Sequence, residues 1–233
     1  MTATSTDGRI ARGNQTRQLI LKHTVRIASV EGLGGLSLGR LAGELELSKS
    51  GVFALFGSKE ELQLATVRAA AEVYIDHVVR PVLDMPAGLA RVRRLCDGWL
   101  SYSENRVFPG GCFFYSVSAE YDAREGKVHD AVAKARLDWV AFVSRNIEEA
   151  KEAGEVREDT DVPQLTFELV ALLEGANAES VLHDDFSCYA KAAKGVLSRL
   201  RAVATDPAAP SLAPTAPAPS PAPAPAPDAA PAP

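Results

Sequence analysis

Ser37-Leu38-Gly39-Arg40-Leu41-Ala42-Gly43-Glu44-Leu45-Glu46-Leu47-Ser48-Lys49-Ser50-Gly51-Val52-Phe53-Ala54-Leu55-Phe56 reads as two short helices separated by a tight turn. Ser37 is a good N-cap for a short helix to about Glu44, and Ser48 caps a second that runs to Phe56, where Gly57 stops it. Neither helix buries much alone. Leu38, Leu41, Ala42, Leu45 and Leu47 supply the joint between them, with Val52 and Phe56 facing back from the second, and Ala42 is small where the helices cross. The second helix is left with Ser48, Lys49, Ser50 and Gly51 at its N-terminal end. Such a turn suits a major groove about 12 Å wide, and its free N–H groups favour phosphate oxygens.

Working outward, a helical pattern starts at about Gln15, with Leu19, Ile20, Val25, Ile27 and Ala28 on its apolar side, and ends at Gly32-Leu33-Gly34-Gly35. Residues 1–14 are polar, with Gly8, Gly13, Arg9 and Arg12, and read as a flexible basic arm. Downstream, Ser58-Lys59-Glu60-Glu61 is a capping box opening a long helix to Val79, just before Pro81. Further helices are expected from Pro86 through Tyr102, from Lys127 to Ala153, from Asp161-Pro163 to Leu182 and from Phe186 to Val203, with Cys112–Tyr121 an apolar segment after Pro109-Gly110-Gly111. No stretch alternates with period two, so the fold class is all-α, with about nine helices.

Thr205 to Pro233 is almost entirely Pro, Ala and Ser and holds 11 of the 15 prolines, so residues 204–233 are expected to be a disordered Pro/Ala-rich tail. The net charge is −5, which argues against a general nucleic-acid binder. Its distribution is uneven: residues 1–66 carry eight basic and six acidic side chains, a balance of +2, which leaves −7 for the rest. Cys96, Cys112 and Cys188 are widely spaced and form neither a disulfide framework nor a zinc site. His23, His77, His129 and His183 sit in no triad or metal spacing, and His183-Asp184-Asp185 reads as a helix end, so an enzyme, a metal site and a cofactor are not expected. No apolar run approaches the roughly 18 residues of a membrane span, and nothing before Arg9 reads as a leader; a soluble cytoplasmic protein is expected.

Leu47 to Leu62, Leu-Ser-Lys-Ser-Gly-Val-Phe-Ala-Leu-Phe-Gly-Ser-Lys-Glu-Glu-Leu, resembles the signature of the tetracycline-repressor (TetR) family, Val-Ser-x-x-x-x-Tyr-x-x-Phe-x-Ser-Lys-Glu-x-Leu. The resemblance covers about residues 15–62, and the helical layout extends it to about residue 203. It implies a three-helix DNA-binding domain over 15–62 and a helical ligand-binding and dimerisation domain over 63–203. Carried over by residue, Ser37 and Arg40 would face the phosphate backbone, Ser48, Lys49, Ser50 and Gly51 would approach bases or flanking phosphates, and Lys59 would bind a phosphate beside a helix N-terminus. Arg9, Arg12 and Arg17 resemble a backbone-contacting arm. Phe53 stands where the family usually has a tyrosine that bonds a phosphate, and Ala54 and Leu55 follow where His and Tyr are common. Reading is therefore expected to rest on apolar contact with thymine methyls and few hydrogen bonds.

The aromatic residues of the second domain include Trp99, Tyr102, Phe108, Phe113, Phe114, Tyr115, Tyr121, Trp139 and Phe142. At least half belong in the core. The family implies a small-molecule cavity among the middle helices, for which Trp99, Cys112, Tyr115, Ser116 and Trp139 are the lining candidates. The helices over 163–203 carry more apolar surface than one domain edge should expose, and Gly175, Ala176 and Ala178 permit close approach. The resemblance implies a homodimer formed there, a palindromic double-stranded operator and release by an unidentified effector. The alternative is a helical protein-interaction module without sequence-selective DNA binding.

Overall fold

The computed structural model describes residues 3–213, with side chains described from Ala11 onward. It is all-helical: α1 (Ala3–Glu31), α2 (Leu38–Glu44), α3 (Lys49–Phe56), α4 (Lys59–Tyr74), α5 (Leu89–Glu104), α6 (Phe113–Tyr121), α7 (Lys127–Glu152), α8 (Val162–His183) and α9 (Ser187–Val203). Among the described residues there is no strand, only an isolated bridge between Val156 and Ala204. No described helix is long and apolar enough to cross a membrane.

The N-terminal helices close around Ile20, Ala28, Leu33, Leu36, Leu41, Val52 and Leu62, all nearly inaccessible. Each of the Leu, Ile and Val side chains contributes roughly 1.5–3 kcal/mol through burial, and the Ala28 methyl about 0.8. Ser37, Ser48 and Ser58 each accept a hydrogen bond from the backbone N–H three residues on, so the caps read from the sequence are made. Gly57 follows α3 at φ 72°, a left-handed conformation that glycine adopts without steric cost. In the second domain α5, α7, α8 and α9 pack around Leu95, Ile147, Leu165, Leu169 and Leu200. The Cys112–Tyr121 segment becomes α6, lodged between α1 and α7.

Four boundaries differ from expectation. Helix α1 begins at Ala3, so the arm expected over 1–14 is helical backbone from residue 3 onward. No proline interrupts it, and each residue added to an existing helix gains a bond without a new nucleation cost. The Thr16 hydroxyl donates to Arg12 O within this extension. Helix α5 starts at Leu89 instead of Pro86, after Gly88 at φ 147°. The helix expected over 58–79 leaves α geometry at Ile75, passes through a π turn (Ile75–Val79) and then a 3-10 turn (Arg80–Val82). Pro81 accounts for part of this, because it lacks the N–H that would continue the ladder.

The fourth difference is at the C-terminus. The Pro/Ala segment is docked as far as Ala213: Thr205 N–H donates to Glu155 O, Pro210–Leu212 forms a 3-10 turn, and Leu212 is fully buried. Proline loses its donor but keeps its carbonyl, and this segment supplies carbonyls. The buried Arg93 donates to Ser211 O and Ala213 O at 2.8 and 2.5 Å, and Arg201 donates to Leu212 O at 2.7 Å. The expected tail therefore does not begin at 204; its remainder, 214–233, lies outside the described residues.

Candidate nucleic-acid interface and ligand cavity

Helix α3 turns Val52 and Phe56 inward and leaves Lys49, Ser50, Gly51, Phe53 and Ala54 in solvent. Phe53 is 57% exposed, so it is not core; it forms an apolar step on the outer face of the helix. Lys49 makes no ion pair or hydrogen bond among the described residues, which leaves three ammonium donors facing outward. The Ser37 and Ser48 hydroxyls accept cap bonds from Arg40 N–H and Gly51 N–H, both at 3.1 Å. Each keeps its own proton to donate. Leu55 is only part-buried, and its carbonyl accepts from Arg17 at 2.8 Å.

Three basic candidates are engaged within the protein. Arg40 forks onto Glu31 (2.5 and 2.9 Å) and reaches Glu44 (2.6 Å), which also meets His23 (2.7 Å). These hydrogen bonds hold the Arg40 pKa further above its usual range and lower those of Glu31 and Glu44. The network ties α2 to α1, so a phosphate at Arg40 must compete with two carboxylates. Lys59 donates to Gly34 O at 2.6 Å from the first turn of α4. Arg17 is no part of a free arm: its guanidinium lies 4.5 Å from the Phe56 ring centre and clamps α3 to α1. Arg12 is exposed, and the side chain of Arg9 lies outside the described residues.

In the second domain a chamber of about 250 Å³ opens among α4, the π turn, α5, α6, α7 and α8. Trp99, Cys112, Tyr115 and Trp139 line it, as does Phe114. Ser116 does not; its hydroxyl turns back onto Cys112 O at 3.3 Å. Ala71, Tyr74, Ile75, Val79, Arg136 and Glu174 also line it and were not expected there, because nothing in a helical pattern says which turn faces a void. Tyr74 stands edge-on to Tyr102, Phe114 and Trp139, with ring centres 5.4–5.8 Å apart. Arg136 and Glu174 form a two-point pair at 2.5 and 2.9 Å. Together with Tyr115 they also border a second, more open hollow of about 340 Å³. The pair therefore partitions an aromatic chamber from an outer vestibule. All three cysteines are free and buried; burial pushes the Cys112 thiol up to about 11 and Cys96 to about 12.

Two elements run from this chamber to the turn that leads into α2. Helix α4 carries Ala71 and Tyr74 at one end and Lys59 at the other. Helix α6 carries Phe114 and Tyr115 in its first turn, and its Glu120 carboxylate accepts the N–H groups of Leu33 and Gly34 at 2.7 and 2.8 Å. Gln63 donates to Leu33 O at 2.9 Å, so the turn between α1 and α2 is held from both sides. Just before α6, Gly110 N–H donates to the Ser29 hydroxyl, and a Cβ at Gly110 would lie 1.8 Å from Ser29 O. Only glycine allows that approach.

Among the described residues no cluster of three or more His, Cys, Asp or Glu side chains has metal-binding geometry. His183 lies 3.7 Å from Glu179 across one helical turn.

The comparisons agree with this architecture. Residues 88–196 match the family model described as the tetracyclin repressor-like C-terminal domain. No curated protein matches the sequence. A TetR transcriptional regulator from Chloroflexus aurantiacus superposes with a TM-score of 0.77 at 21% identity, covering 83% of this chain and 98% of that one. A transcriptional regulator from Saccharomonospora viridis in complex with choline gives 0.69 at 18%, covering 82% and 98%. AibR in complex with isovaleryl coenzyme A and operator DNA gives 0.61 at 16%, covering 77% and 94%. These likenesses establish the fold. Residues 88–196 therefore carry a tetracyclin repressor-like C-terminal domain, and the chain has the fold of the TetR transcriptional regulators on which it superposes.

Proposed function

We propose that the protein is a homodimeric, ligand-responsive repressor that binds a palindromic operator through α3 and is released when a small molecule enters the aromatic chamber. The observation that carries this reading is that α4 and α6 both wall the chamber and both hold the turn that leads into α2. A ligand that favours one arrangement of these helices shifts the population of the DNA-binding state only by its difference in affinity for the two. The choline and isovaleryl coenzyme A complexes of the relatives are consistent with a small-molecule effector.

Base and phosphate contacts are assigned to Ser37, Ser48, Lys49, Ser50, Gly51 and Lys59, with Phe53 and Ala54 set against thymine methyls. Arg40 contributes a phosphate contact only by giving up part of its carboxylate network. The dimer is assigned to α8 and α9. Phe167, Ala171, Gly175, Ala178 and Leu182 recur at three- and four-residue intervals on one side of α8, with Phe167 69% and Leu182 76% exposed. Such a stripe fits a second copy of itself about a twofold axis. A twofold protein places its half-sites about 34–36 Å apart.

Selection of bound duplexes from a random pool by the full-length chain tests the proposal. An inverted repeat with that spacing, bound less tightly as salt rises, is the expected result. Binding without sequence preference would leave a helical interaction module as the better reading.

A further inference from the structure

We infer that the chamber takes a neutral, largely apolar molecule of one or two rings, which presents a hydrogen-bond acceptor to the Tyr74 hydroxyl; this rests on the ligand-cavity reading above. The first support is size. At about 250 Å³ the chamber exceeds the ~150 Å³ cavity that binds benzene, yet it is too small for a coenzyme A moiety. The walls are aromatic, and stacked or edge-on rings are what such walls bind best.

The second support is charge. Arg136 and Glu174 satisfy each other through two bonds, and Asp138 is held by Lys134 at 2.7 and 2.8 Å. No charge on the chamber wall lacks a counter-charge, so an ion entering it would be desolvated without a partner. An aromatic box with a free carboxylate would favour an ammonium ion; here the carboxylate is occupied.

The third support is the Tyr74 hydroxyl. It is buried in the chamber wall and makes no hydrogen bond among the described residues. Burial, and then the nearby Cys112 and Tyr102, push its pKa well up, so it stays a protonated donor. Trp99, beside it, can only donate. The phenol proton therefore has no acceptor, and native proteins seldom leave such a group without one. A carbonyl or ring oxygen on the ligand supplies it.

Calorimetry on the full-length protein decides this with four probes: coumarin (neutral, with a carbonyl), naphthalene (neutral, no acceptor), phenyltrimethylammonium and 2-naphthoate. Both tryptophans of the chain, Trp99 and Trp139, line the chamber, so a change in their fluorescence places a bound probe there. Coumarin is expected to bind at least tenfold tighter than either ion and several-fold tighter than naphthalene. Tyr74→Phe should remove the advantage over naphthalene while keeping the fold, shown by an unchanged or higher Tm. Tighter binding of an ion, a coumarin advantage that survives Tyr74→Phe, equal binding of the two neutral probes, or no binding at all would overturn the inference. Operator affinity measured with each probe judges ligand response separately. A charged probe that binds and releases DNA would keep the regulatory reading and defeat this one; coumarin bound with no effect on DNA would do the reverse.

Discussion

Glu120 is the residue through which α6 holds the DNA-binding unit, and replacing it shows how firmly the two domains are joined. Its carboxylate accepts Leu33 N–H and Gly34 N–H at 2.7 and 2.8 Å, while the side chain is only 18% exposed. Hydrogen bonds to a charged group are worth about 1.5–3 kcal/mol net, and the Gly34 bond is solvent-exposed, so the low end applies to each. Glu120→Ala should therefore lower the free energy of opening this turn by about 3 kcal/mol. Glu120→Gln keeps one carbonyl acceptor but loses the charge, and should cost about half as much. Amide hydrogen exchange reads the effect at Leu33 and Gly34, where the Ala variant should exchange about a hundredfold faster and the Gln variant about tenfold faster. Core amides such as Leu169 should slow or quicken only with global stability. Unchanged exchange at Leu33 and Gly34 in the Ala variant would refute the grip, as would equal acceleration everywhere.

Further outcomes follow from the same geometry. Leu212→Ala should destabilise the protein by about 2–4 kcal/mol, because Leu212 is fully buried; a chain ending at Ala204 should lose at least as much, and one ending at Ala213 should keep these contacts. Equal urea midpoints for chains ending at 204 and 213 would show that the strap contributes nothing. Gly110→Ala forces a Cβ against Ser29 O and should lower stability by about 1–3 kcal/mol through backbone shifts; a Tm within a degree of the parent would contradict the close approach. The Cys96 and Cys112 pKa values are raised from 9.0 to about 12 and about 11, so folding gains from the neutral thiols below pH 9. That contribution is lost as pH rises through the folded values. Urea unfolding should weaken from pH 9 to 11, and a disulfide reagent at pH 7.5 should label Cys96 only after denaturation; prompt labelling of Cys96 in the native chain would place it at the surface.

The helix-turn-helix was legible because it is a local structure. Ser37, Ser48 and Ser58 announce caps, Gly57 announces a stop, and the apolar residues between them recur at helical spacing. The all-helical layout was legible for the same reason. What escaped depends on contacts distant in sequence. Arg40 and Arg17 look like phosphate ligands until Glu31, Glu44 and the Phe56 ring stand beside them. Tyr74 is one aromatic among many until the fold places it in a chamber wall, 65 residues from Trp139. The Pro/Ala segment gave no sign of docking, because its order comes from a groove that accepts Leu212 and from Arg93, which needs two carbonyls. Composition describes a segment's own preferences, and here a partner surface overrides them.

Whether α3 reads DNA turns on Lys49, which has no role in the fold that the described contacts reveal. The measurement is the affinity of wild type and Lys49→Ala for the selected operator and for a scrambled duplex, at fixed salt, with Tm taken on both proteins. Lys49→Ala should leave the Tm unchanged and weaken operator affinity by about 1–3 kcal/mol. Equal affinity of the two proteins for the operator, or a wild type that does not distinguish operator from scrambled DNA, would contradict it.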